Sequence, residues 1–127
     1  MLKKFLPVLS LPLLLLAGCA TPFTSTNLTP TVQTRTTNNL YMLEVAVSSH
    51  QQNLRWSSIH PQVAVNKEFY AMHPTQLMSN RWEVMVPIAP GVSSAKYRYI
   101  FDYQRNAFGA SKGETVVSPE YTLKIAE

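Results

Sequence analysis

Two stretches constrain the fold more than anything else in the chain. In Arg81–Ile88 the large apolar residues Trp82, Val84, Val86 and Ile88 fall on every second position. In Lys96–Gln104 the same period places Tyr97, Tyr99, Phe101 and Tyr103 on one side, with Lys96, Arg98, Asp102 and Gln104 mostly on the other. Period two belongs to a strand with one buried face, because successive side chains point to opposite sides of the sheet. Ala89-Pro90-Gly91 between them supplies turn residues, proline presetting φ and glycine accepting positive φ.

The same logic extends outward. Leu40–Ser48 alternates, with Tyr41, Leu43, Val45 and Val47 on one face. Ser48–Asn53 reads as a polar turn, and Leu54-Arg55-Trp56 is too short to assign. His60-Pro61 is expected to break the chain, since the residue before proline avoids the helical region. Val63 and Val65 resume the alternation, Asn66-Lys67 is a turn or bulge, and Phe69–Met72 is extended before a second break at His73-Pro74. Asn106–Gly113, with two glycines, is expected to be a loop, and Tyr121–Ile125 is the last strand. No segment after Cys19 sustains a 3.6-residue apolar period. The expected fold is all-β, a single antiparallel β-sandwich of about 6–8 strands. Each large apolar position buried in it contributes roughly 1.5–3 kcal/mol.

The first 39 residues differ from the rest. Lys3 and Lys4 precede the apolar run Phe5–Leu16, which is followed by Ala17, Gly18 and Cys19. That run is about 12 residues, shorter than the roughly 20 a spanning helix needs, and has the order of an export signal. Leu16-Ala17-Gly18-Cys19 resembles the lipobox of bacterial lipoproteins, and it holds the chain's single cysteine. The resemblance implies cleavage between Gly18 and Cys19, a signal peptide at 1–18, and acylation of Cys19. The membrane is then a partner through the acyl chains, and two or more chains make release negligible. Ala20 stands where an Asp marks inner-membrane retention in enteric lipoproteins, so the resemblance implies an outer-membrane anchor facing the periplasm. Residues 19–38 are Thr- and Pro-rich with few bulky apolar side chains, and read as a flexible tether before a domain at 39–127. Within them, Thr31–Thr37 has an alternative as an edge strand.

The span Trp82–Asp102, with its strand, Pro90-Gly91 turn and aromatic strand, resembles immunoglobulin-like domains of the early-set and fibronectin-III kinds. By that resemblance Tyr97 is a candidate tyrosine corner. The span is also similar to glycogen-binding-type modules, with Met72 and Trp82 in the places of their Met and Trp strands.

The chemistry is sparse. A net charge of +4 includes Lys3 and Lys4 of the leader, and the remaining cations are scattered, which argues against nucleic acid. His50, His60 and His73 lack metal-ligand spacing, and nothing calls for a cofactor. No nucleophile or phosphate-loop motif is present, and the carboxylates are dispersed, which points away from an enzyme. Asp102 is expected to pair with Arg98 or Arg105. A core face with three tyrosines needs partners for their hydroxyls. Trp56 and Tyr70, in less regular segments, are the candidate exposed interaction residues. The sequence thus leads to a non-catalytic, membrane-anchored module that contacts a protein partner in the envelope. The alternatives are a glycan-binding module using exposed aromatics and an inhibitor of an envelope hydrolase.

Overall fold

The computed structural model describes residues 23–127, which form ten strands and no helix. They are β1 (Phe23–Asn27), β2 (Val32–Thr34), β3 (Leu40–Ser49), β4 (Leu54–Val65), β5 (Glu68–Ala71), β6 (His73–Pro74), β7 (Arg81–Pro87), β8 (Ser94–Ala107), β9 (Ala110–Val117) and β10 (Tyr121–Ala126). One sheet has the order β1-β3-β7-β6 and the other β2-β10-β8-β4-β5, with β9 also paired to β8. Every pairing is antiparallel except β2 with β10.

The alternating faces do what their period demands. Tyr41, Leu43, Val45 and Val47 of β3 and Trp82, Val84 and Val86 of β7 are buried against Tyr97, Tyr99, Phe101 and Tyr103 of β8. Val63 and Val65 of β4 and Leu123 and Ile125 of β10 complete one core between the two sheets. The architecture is all-β with two facing layers.

The tether expected at 19–38 is corrected from Phe23 onward. Phe23 is buried, its ring stacked on Tyr103 at 4.7 Å and 4°, and tilted against Phe101 at 5.4 Å. β1 pairs along the end of β3, from Phe23 opposite Ser49 to Asn27 opposite Val45. β2 lies inside the Thr31–Thr37 stretch and forms an outer edge beside β10. Threonine-rich sequence is as much at home in an extended strand as in a loop. Here long-range partners decide in favour of the strand.

His60-Pro61 is not a break. β4 runs straight through it, with Pro61 buried opposite Phe101. Met72 N donates to Pro61 O at 3.0 Å, so the missing N–H of Pro61 faces β5 just where that strand ends. A proline is tolerated at such a ladder terminus. His73-Pro74, by contrast, marks a real change, because there the chain leaves β5 of one sheet and joins β7 of the other.

The loop expected at Asn106–Gly113 is instead a hairpin. β8 continues to Ala107, Phe108 and Gly109 turn with φ of 38° and 82°, and β9 returns. Positive φ at both central residues is the turn geometry that matches strand twist. Most of β9 is exposed, so it shows no alternation to read.

Candidate functional site

Gly18 and Cys19, the expected cleavage and acylation positions, lie outside the described residues. The site residues that can be placed are Trp56 and Tyr70, and the fold separates them.

Trp56 sits in a bulge. Leu54 and Arg55 pair with Arg105 and Gln104, and the register then shifts before His60 meets Asp102. Ser58 bridges the gap: its Oγ donates to Arg55 O at 2.6 Å and accepts from Gln104 N at 2.7 Å. A serine side chain thus stands in for a ladder group, and with residues 56–59 set against Tyr103 alone, the three extra residues turn Trp56 outward to 40% exposure. Trp56 lines a shallow cleft with Val47, Ser48, Ser49, Ser79 and Asn80.

Tyr70 is opposite Val63 on the inner register of β5 and packs against the core. Its neighbour Phe69 takes the outer register opposite Ala64 and is 63% exposed. The exposed aromatic on this edge is therefore Phe69, which sequence reasoning passed over because Phe69–Met72 carries no clear alternation. Along β8 the bulge lies opposite Tyr103 and Val63 opposite Tyr99, four positions and roughly 13 Å away, and Tyr70 packs inward while Trp56 faces out. The two aromatics named from sequence do not form one platform.

The outer face of the larger sheet carries Phe69, Ala64 and Arg98 in one row, and Ala71, Gln62, Ile100 and Val117 in the next. Arg98 pairs with Glu120 at 3.1 Å, and Arg105 with Glu114 at 2.9 Å. Asp102 pairs with neither arginine; it accepts from Thr115 Oγ1 at 2.7 Å. The expected Asp102 ion pair is corrected, because both arginines find their carboxylates on β9 and beyond. Such surface pairs contribute little to stability.

Inside, the tyrosine hydroxyls are answered from the amino-terminal segment. Tyr97 Oη accepts from Asn27 Nδ2 at 2.9 Å. Tyr99 Oη donates to Asn27 Oδ1 at 2.6 Å and lies 2.9 Å from Thr29 Oγ1. Burial pushes the Tyr99 phenol well above its ordinary pKa, so it stays a donor. The tyrosine corner expected at Tyr97 is absent, since its hydroxyl meets a side chain 70 residues upstream in sequence rather than nearby backbone.

Among the described strands β1, β2, β5, β6 and β9 each have a neighbour on one side, and two of them, β9 and β5, flank the long strands of the larger sheet. β9 has eight residues and, among the described strands, pairs with β8 alone. Its two-residue hairpin, together with Ser118 N donating to Tyr99 O at 2.9 Å, fixes which N–H groups face inward. Those of Ala110, Lys112, Glu114 and Val116 point to β8, and those of Ser111, Gly113, Thr115 and Val117 point away. β5, bearing Phe69, is the other free edge of this sheet's long side.

Among the described residues, no group of three or more His, Cys, Asp or Glu side chains is gathered as a metal site. His50, His60 and His73 lie on a loop, on β4 and on β6 respectively. No protein-family model matches the chain, and no curated protein matches it either.

Proposed function

We propose that this chain is a non-catalytic lipoprotein, acylated at Cys19, whose body is an immunoglobulin-like module for protein contact in a bacterial envelope assembly. The outer membrane, periplasmic side, is its proposed location on the strength of Ala20 after the lipobox. The strand order supports the immunoglobulin-like part. β1-β3-β7-β6 follows the A-B-E-D order of such domains, and β10-β8-β4-β5 the G-F-C-C′ order, with the first strand divided between the sheets.

The observation that carries the contact role is the free side of β9. Eight residues of extended backbone present alternate N–H and C=O groups with none of the described strands beyond them. Adding a partner's strand there satisfies those groups, and the alternate side chains set specificity.

The test is to solubilise the acylated protein from its native envelope and to compare Thr115→Pro with Thr115→Val. Both remove the hydroxyl that binds Asp102, but only proline removes the outward N–H. A stoichiometric partner retained by Thr115→Val and lost by Thr115→Pro is the expected result. A partner that stays bound to both, or a protein that emerges alone, contradicts the proposal.

A further inference from the structure

Charged and apolar side chains are not shared evenly between the two ends of the sandwich. The Phe23 end is built from the loop after β3, the bulge of β4, the β6–β7 loop and the tip of the β8–β9 hairpin. Val47 N donates to Asn80 O and Asn106 N to Asn53 O, both at 2.9 Å, which ties these segments together beside Phe23. From them project Trp56, Leu77, Met78 and Phe108, of which Leu77 and Phe108 are almost wholly in solvent.

The backbone at those two positions is unusual. Among the described residues, four non-glycine positions have positive φ: Asn39 at 59°, Asn66 at 58°, Leu77 at 66° and Phe108 at 38°. Asn39 and Asn66 turn the chain at the opposite end, and asparagine adopts this region readily. At the Phe23 end the same conformation is taken by a leucine and a phenylalanine, which favour it far less. Held this way, both large apolar side chains stand clear of the body, with none of the described residues covering them. Segments 48–58, 75–82 and 104–114 carry Arg55, Arg81, Arg105 and Lys112; Glu114 pairs with Arg105 and Glu83 is held by Thr75 at the border, which leaves this end with a positive excess.

The position of the anchor decides what covers this end. Only Ala20, Thr21 and Pro22 separate Cys19 from Phe23. A fully extended chain spans about 3.5 Å per residue, so Cys19 lies within about 14 Å of the buried Phe23. We infer that the Phe23 end of the domain rests on the bilayer that holds the acyl chains, with Phe108, Leu77, Met78 and Trp56 entering the interfacial layer and the cations meeting anionic headgroups. Apolar and aromatic side chains ringed by Lys and Arg suit that layer. The inference rests on acylation of Cys19. It gives the module a fixed pose, with the Asn39 and Asn66 turns pointing away from the membrane and β9 standing upright along the side.

The test uses the acylated chain in vesicles of phosphatidylethanolamine and phosphatidylglycerol, with and without brominated acyl chains. Phe108→Trp places a reporter at the membrane end, and Lys67→Trp places one at the exposed β4–β5 turn of the opposite end. The emission added by Phe108→Trp is expected to shift to the blue and to be mostly lost in brominated vesicles. That added by Lys67→Trp should stay at its aqueous wavelength and intensity. Equal behaviour of the two reporters, quenched or not, overturns the pose while a lipid-bearing Cys19 in the same sample leaves the anchor intact. An unmodified Cys19 and protein left in the aqueous phase overturn both.

Discussion

The Tyr99 hydroxyl donates to Asn27 Oδ1 at 2.6 Å, while Asn27 Nδ2 donates to the Tyr97 hydroxyl at 2.9 Å. One amide on β1 therefore serves two phenols of the opposing sheet. That arrangement locks the amino-terminal strand across the core and so fixes how near the domain stands to position 19.

Replacing Asn27 by Ala takes away the partner of the buried Tyr97 hydroxyl, while Tyr99 keeps Thr29 Oγ1 and Glu44 O. A buried polar group without one costs about 1–3 kcal/mol. Asn27→Ala is expected to lower the urea midpoint by an amount in that range, with the slope unchanged. An unaltered midpoint would show that water replaces the amide freely.

Phe23→Ala tests whether the segment is part of the body. Truncating a buried phenylalanine costs about 3–5 kcal/mol, whereas the same change in a tether costs nothing. Chemical denaturation of the variant separates the two outcomes.

Alkaline pH should weaken the fold through Tyr99. Its phenol is pushed above the ordinary value, first by burial, so the native state keeps a proton that the unfolded chain releases. The contribution is fully present below the unfolded tyrosine pKa of about 10 and is lost as pH rises beyond it. Tyr99→Phe is expected to flatten the alkaline limb of a stability-against-pH curve, and an unchanged limb would remove Tyr99 as its cause.

Val84 faces the core from β7 and is buried. An aspartate there has no partner for its charge, and Val84→Asp is expected to abolish the folded state in circular dichroism and limited proteolysis. A protease-resistant Val84→Asp protein would contradict the face assignment.

What the sequence made legible follows from where its information lies. Leu43, Val84, Phe101 and Leu123 announce their strands because one face of each is buried, and burial writes a period of two. β1 and β9 do not. Phe23 and Asn27 are committed by partners some seventy to eighty residues away, which no local window contains. β9 is exposed along most of its length, so nothing selects for alternation. Pro61 looked like an end because proline usually is one, yet its missing N–H falls at a ladder terminus. Phe69 and Tyr70 exchanged roles for a related reason: with both aromatic, either register reads the same until Val63 is known to lie opposite Tyr70. Trp56 is exposed through the Ser58 bridge, a tertiary contact with Gln104 that no local window contains.

Anchor and pose both depend on position 19, and intact-mass analysis of the protein purified from its native envelope addresses it directly. The expected species is a chain that begins at Cys19, with residues 1–18 gone and the added mass of two or three acyl chains on that residue. A chain that retains its leader, or one that begins elsewhere with a bare thiol at Cys19, would contradict both anchor and pose.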